Sequence, residues 1–245
     1  MTNESKPTPR LAVIGAGKMG RVITELAGER GWPVVATIGR ADDHGRGPIN
    51  VARLNGADVA VEFTNAASAP SNVRACAQAG CPVVVGTTGW DSEREGVERD
   101  VLSANGAMLW SPNFALGVNL FWQVAEIAAS LAGHAGFDAY IVEAHHTEKK
   151  DAPSGTAREL ERRVSAAMGR RVPVTSVRSG FIPGTHEIVF DARFEQIRIE
   201  HVARDRRVFA EGALVAAEWL ATGKRKGVFT MRDVLKLKVG GGGTK

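Results

Sequence analysis

The chain has 245 residues, 44% hydrophobic and 24% charged, with a net charge of +4; this composition suits a globular protein with enough chain for one large domain or two modest ones. No run of about 18 apolar residues occurs, so no membrane span is expected, and the polar opening MTNESKPTPR lacks the apolar stretch of a signal peptide. The two cysteines, Cys76 and Cys81, show no CxxC or HxxxH spacing, so reduced thiols in a cytoplasmic protein are expected, not a zinc site or a disulfide framework.

In chain order, short apolar runs at 11–15, 33–38, 58–63, 82–86 and 107–110 read as strands, and helical patterns at 18–30, 66–79 and 91–104 lie between most of them. Continuous apolar strands alternating with helices predict a parallel sheet covered on both faces, a Rossmann-type α/β domain.

After SPNFALG the pattern changes. A helix is expected over 118–133, a strand over 137–146 and a helix over 156–168. Residues 185–193 and 194–202 alternate apolar and polar, which predicts half-buried strands of an open-faced mixed sheet in an α+β domain. A last amphipathic helix at 207–221 precedes MRDVLKLKV, which is expected to return to the first domain. The division is therefore 1–116 for dinucleotide binding, 117–206 for substrate binding and oligomerisation, and 207–245 for the return. The glycine-rich tail, GGGG at 240–243, is left out of fold reasoning. Residues 117–245 hold 20 of the 31 Lys and Arg against 15 of the 27 Asp and Glu. That excess suits a small anionic ligand, and it equally suits a solvated basic surface. No basic stripe is interleaved with aromatics, so nucleic acid is not an expected partner.

GAGKMG, residues 15–20, is a G-x-G-x-x-G turn directly after a strand and opening a helix. In that context Gly15 makes the tight turn, Gly17 admits a diphosphate and Gly20 lets the helix pack. Ala16, Lys18 and Met19 complete the segment, whose amides and helix dipole favour phosphate. At the end of the second strand, Gly39-Arg40 stands where readers of NAD usually place an acidic residue. A guanidinium there suits a 2′-phosphate and Lys18 adds a second charge, so NADPH is expected over NADH, although Asp42 and Asp43 lie close enough in sequence to serve a ribose. Phe63-Thr64, Gly86-Thr87-Thr88 and Ser111-Pro112-Asn113-Phe114 all follow the C-terminal ends of strands, the edge at which open α/β sheets bind ligands. Their hydroxyl and amide groups suit a nicotinamide carboxamide, and they also suit ordinary turns.

The richest stretch is EAHHTEKKDAPSGTA, residues 143–157. His145 and His146 are neighbours on an extended strand, so they face opposite ways and cannot chelate one ion together; no metal is expected. An imidazole at a strand end can donate a proton near neutral pH, and the ammonium of Lys149 can hold an anion. Ser154-Gly155-Thr156 opens a helix, with Thr156 and Glu159 at capping-box spacing, and a helix start receives carboxylates. Spacing alone leaves open a solvated loop whose histidines merely end a strand.

The same stretch resembles the signature E-x-H-H-x-x-K-x-D-A-P-S-G-T-A of the dihydrodipicolinate reductase (4-hydroxy-tetrahydrodipicolinate reductase) family, with every fixed position matched. The likeness continues through EFT at 62–64, VVGTTGW at 84–90, SPNFALGVN at 111–119, IPGTHE at 182–187, and FAEGAL followed by GVFTMRDVL. The resemblance implies a two-domain, tetrameric NAD(P)H-dependent reductase that delivers hydride to a small cyclic dicarboxylate in diaminopimelate and lysine synthesis. It implies His145 and Lys149 as the proton-donor pair. His146, Gly155 and Thr156 would contact substrate carboxylates, and the segments matching 15–20, 86–88 and 111–114 would hold the cofactor. The glycine turn is one residue shorter than is common in the family, and Gly39 stands where many members carry an acid.

Overall fold

The computed structural model describes residues 8–39 and 49–236. These fall into two compact units, one running up to Phe114 and taking in Phe209–Lys236, the other comprising Ala115–Val208.

The first unit is built on six strands: β1 (Leu11–Ile14), β2 (Val34–Ile38), β3 (Val59–Glu62), β4 (Val83–Val85), β5 (Ala107–Trp110) and β10 (Gly227–Phe229). All pair in parallel, in the order β10-β5-β4-β3-β1-β2. Every residue of β1, β3 and β4 is buried, which is why, Glu62 at the end of β3 apart, these strands read as apolar runs and not as alternation. Helices α1 (Lys18–Glu29), α2 (Val51–Leu54), α3 (Ala69–Gln78), α4 (Asp91–Ser103) and most of α7 (Arg207–Thr222) belong to this unit, as does α8 (Met231–Leu235). The chain leaves β1 for β2 on one side and returns to place β3 on the other. The order therefore reverses at β1/β3, the position where a doubly wound sheet opens a ligand crevice.

The second unit holds α5 (Leu116–His134), β6 (Asp138–His145), α6 (Gly155–Met168), β7 (Val174–Arg178), β8 (Thr185–Ala192) and β9 (Glu195–Val202). Its sheet is mixed, in the order β7-β6-β8-β9, with β6 parallel to β7 and antiparallel to β8. On β6 the residues Ala139, Ile141, Glu143 and His145 are buried, and on β8 His186, Ile188 and Phe190. Register pairs Ala139 with Phe190, Ile141 with Ile188 and Glu143 with His186, so these residues share the face covered by α5 and α6.

Four elements depart from the sequence expectations. β9 is almost wholly exposed where a half-buried strand was predicted, because it is the edge of the sheet. β7, β10 and α2 were not anticipated: VTSVR and GVF are too short and mixed for a period to register, and α2 is a single turn capped by Asn50. β10 and α8 lie in the first unit. No helix among the described residues is long and apolar enough to cross a membrane.

Candidate active site

In the first unit, the expected ligand segments do gather at one sheet edge. Gly15 follows β1 with φ of 110°, and a Cβ there would overlap the carbonyl of Phe63; a Cβ on Gly20 would overlap the carbonyl of Gly15. Gly17, by contrast, has nothing within 4 Å of such an atom. Two close backbone approaches thus flank one open position at the N-cap of α1, whose first turn carries no acidic residue and no side-chain cap. This is the shape a diphosphate requires, and the residues present fit a dinucleotide. Phe63 lies flush on Gly86 and tilts against Phe114 at 6.0 Å between ring centroids.

Two of the hydroxyls singled out for a carboxamide are engaged within the protein. Thr87 Oγ1 accepts from the Thr64 amide at 2.8 Å, and Ser111 Oγ donates to the Asn113 carbonyl at 2.7 Å. Both residues are buried, whereas Thr88 and Pro112 are exposed. Arg40 lies outside the described residues, as do Asp42 and Asp43.

In the second unit the sheet register builds a polar layer beneath the helices. Ser176, Glu143, His186 and His201 stand side by side on β7, β6, β8 and β9. The next step along brings His145 beside Arg178. Glu143 is fully buried and fully satisfied. Its Oε2 receives His145 Nδ1; its Oε1 accepts from Arg178 Nη2 at 2.7 Å and from the Ser154 amide at 3.3 Å. Burial alone would raise its carboxyl, but Arg178, then Ser176 and His145, outweigh this and hold it below the usual carboxylate range. Burial pulls His145 below the ordinary imidazole value against the opposing pull of Glu143, and the charges of Lys149 and Arg178 add to the lowering. The two directions together describe an ionised carboxylate bonded to a neutral imidazole. An ionised carboxylate can only accept, so Nδ1 carries the proton and Nε2 is the working nitrogen.

His186 lies edge-on to His145, with centroids 5.1 Å apart, and shares a hydrogen bond with Ser154 Oγ at 3.1 Å. Burial, followed by the charge on His145, pushes it down to about 3. Glu143, His145 and His186 lie within 4.8 Å of one another. No Cys or carboxylate spacing in the sequence points to such a set; pairing of β6 with β8 is what brings the trio together. Its carboxylate oxygens are already bonded to a guanidinium and an imidazole, so it is a hydrogen-bonded layer of the site.

The helix start also differs from expectation. Ser154, not Thr156, is the N-cap of α6, and its Oγ accepts from the Ala157 amide at 3.2 Å. Glu159 pairs with Arg162 and Arg163 and makes no capping box, because the helix begins two residues earlier than the box would need. Gly155 and Thr156 are thereby the first two helical residues. The space over Gly155 is open: an added Cβ would approach only Arg158, at 3.9 Å. Lys149 Nζ lies 2.8 Å from Asp151 Oδ1, and Lys150 is exposed.

His146 points away from this layer, as strand geometry predicts. Its Nε2 lies 3.2 Å from Arg206 Nη2, on a cavity of about 450 Å³ also lined by Glu148, Phe181, Arg204 and Asp205. Sequence reasoning missed Arg178 and Arg206, which carry no motif. Glu143 and His186 had a signal: the first shares strand parity with His145, and the second sits in IPGTHE.

The chain matches two family models in tandem, the N-terminus of dihydrodipicolinate reductase over residues 9–114 and its C-terminus over residues 117–235. It is 37% identical to a 4-hydroxy-tetrahydrodipicolinate reductase of Thiobacillus denitrificans, covering 94% of this chain and 99% of that one. It is 38% identical to one of Gluconobacter oxydans, covering 93% and 97%. Among solved structures, a dipicolinate-bound dihydrodipicolinate reductase from Paenisporosarcina sp. TG-14 shares its fold, with a TM-score of 0.77 at 22% identity over 91% of this chain and 98% of that one.

Proposed function

Since the chain belongs to the dihydrodipicolinate reductase family and catalyses NAD(P)H-dependent reduction of 4-hydroxy-tetrahydrodipicolinate in diaminopimelate and lysine synthesis, we propose how its residues divide that work. The nicotinamide, when bound, supplies the hydride. Gly15, Ala16, Gly17, Lys18, Met19 and Gly20 hold the diphosphate at the start of α1. Phe63, Gly86, Thr87, Thr88 and the segment Ser111-Pro112-Asn113-Phe114 form the wall on which the nicotinamide rests. Thr87 and Ser111 act there through the loop shape their hydroxyls enforce. Arg40 selects NADPH through the 2′-phosphate.

His145 is the proton donor: its ring takes up a proton at Nε2 and passes it on from there, and Lys149 supplies the ammonium that draws a substrate carboxylate to it. One carboxylate is received at the start of α6 by Gly155 and Thr156. His146, with the Arg206 guanidinium beside it, offers a second cationic position for the other. The observation that carries this reading is the ordered His145 imidazole, anchored at Nδ1 on the sheet end that also holds Lys149 and the helix start.

The assay is oxidation of NADPH with synthase-generated substrate. His145→Ala is expected to lower kcat by about 100-fold or more, the usual range for a positioned acid. Wild-type turnover in that variant would remove His145 from the reaction. The assembly is proposed to be a homotetramer working in the cytoplasm; the exposed edge strand β9 supports self-association.

A further inference from the structure

The residue that organises the proton-donating site lies outside the imidazole, the ammonium and the helix start. We propose that Glu143 is a positioning residue whose buried carboxylate fixes His145 in one tautomer and one orientation, with Nδ1–H turned into the sheet and Nε2 left for substrate. The inference rests on reading His145 as the acid.

Three observations carry it. Glu143 has no exposed surface, and a buried carboxylate is retained at considerable cost unless its partners are complete. Those partners are the parts of the site. His145 takes one oxygen; Arg178 and the Ser154 amide at the head of α6 take the other. Arg178 in turn donates to the carbonyls of Lys149 at 3.2 Å and Asp151 at 2.6 Å, so the same carboxylate is connected to the loop that carries the ammonium. Finally, the chain leaves room at Nε2. Gly184 has φ of 153°, and a Cβ there would stand 3.1 Å from His145 Nε2. The anchored nitrogen is packed and the working one is given space.

The proton inventory closes on this geometry. In the charged ring both nitrogens carry hydrogen. The Nε2–H bond breaks, its proton forms a bond to the ring carbon left electron-rich by hydride addition, and the N–H electron pair stays on Nε2. What remains is the neutral Nδ1–H tautomer, still bonded to Glu143, and water reloads Nε2. The charged and titratable groups around His145 are Glu143 on its own strand, Arg178 on β7, His186 on β8 and Lys149 on the following loop. Of these, only Glu143 favours the charged ring.

The test is Glu143→Gln, nearly equal in shape but uncharged, with Glu143→Asp as the conservative control. Glu143→Gln is expected to lower kcat on the order of 10- to 100-fold. KM should change little, and the alkaline limb of the kcat–pH profile should move about one unit lower. Glu143→Asp should keep the limb near its wild-type position. Glu143→Gln added to His145→Ala should cost nothing further, because residues acting through one another are not additive. A Glu143→Gln enzyme with reduced thermal stability but a wild-type alkaline limb would show a structural role only and overturn the proposal. If His145→Ala itself keeps wild-type turnover, the underlying reading fails, which is a separate result. Should Glu143→Gln not fold, ¹⁵N spectra of histidine-labelled wild type decide. A neutral His145 protonated at Nδ1 supports the proposal, and one protonated at Nε2 overturns it.

Discussion

Lys149 Nζ sits 2.8 Å from Asp151 Oδ1, and this ammonium is the one proposed to draw in substrate. Their side chains are 25% and 45% exposed, and pairs this open to water contribute roughly 0–1 kcal/mol. A substrate carboxylate can therefore displace Asp151 at little cost. Asp151→Asn is expected to change kcat/KM by less than about fivefold, the equivalent of 1 kcal/mol. Lys149→Ala should lower kcat by about 100-fold. Steady-state kinetics on both variants check this. A loss in Asp151→Asn equal to that in Lys149→Ala would place Asp151 itself in the proton path.

The contrast between Lys149 and Glu143 shows what a sequence can and cannot carry. The helix and strand positions around the site were legible because β1, β3 and β4 are buried on both faces and α1 opens at a glycine turn. Both are local patterns. His145 and Lys149 stand four apart in one motif, so their proximity could be inferred from the chain alone. The layer of Ser176, Glu143, His186 and His201 could not, since it exists only once β7, β6, β8 and β9 adopt their register. β7 is five residues of mixed polarity with no readable period. Without it Arg178 has no address, and Glu143 looks like an unpaired charge in a strand. The helix cap was misplaced for a related reason. S-G-T offers two hydroxyls two residues apart, and only the packing of Ser154 against His186 shows which one opens α6.

Cofactor choice is expected to follow Arg40. β2 ends at Ile38, and Gly39-Arg40 follow it directly in the sequence, where an acidic residue would serve a ribose. A hydrogen bond to a charged partner contributes about 1.5–3 kcal/mol. That corresponds to a preference for NADPH over NADH of roughly 10- to 100-fold in kcat/KM, with Arg40→Ala removing most of it. A wild-type enzyme that favours NADH would refute the argument.

Acid sensitivity should trace to His186. Its imidazole is neutral in the folded protein, pushed down to about 3, whereas the unfolded chain regains the ordinary 6.5. Between those values the unfolded state binds the extra proton, so stability falls as pH falls. The effect is absent above 6.5 and complete below about 3. His145 and His201, both lowered by burial, act in the same sense. Glu62, raised by burial, acts in the opposite one. Comparing His186→Gln with wild type cancels these shared contributions. From pH 6 to pH 5 the variant should lose about 1 kcal/mol less stability than wild type, the share of a single titrating group. Urea unfolding at fixed protein concentration measures it, and parallel pH dependences would show that His186 is not the sensitive group.

Self-association is expected through the uncovered face of the second unit's sheet. Register aligns Val177, Ala144, Thr185 and Val202 in one row across β7, β6, β8 and β9. This row faces away from the covered Glu143 layer, because alternate residues on a strand point to opposite sides. Its two end valines are 40% and 53% exposed. The sheet also ends at β9, an eight-residue edge strand with exposed Ile197 and, in the turn before it, Phe194 at 88% exposure. Long edge strands with apolar residues are normally covered or interrupted, and here another copy of the chain supplies the simplest cover. Val202→Glu places a carboxylate at the β9 end of any face formed by that row, where burying it unpaired would cost several kcal/mol. Because Val202 is solvent-exposed within a single chain, the same change should leave the fold of each subunit intact. Sedimentation velocity is therefore expected to show a tetramer for the wild type and smaller species for Val202→Glu, with unchanged far-ultraviolet circular dichroism. A wild-type protein that sediments as a monomer would exclude the tetramer. A Val202→Glu tetramer would move the contact to another surface, such as the exposed strip of Leu120, Val124, Ile127 and Leu131 on α5.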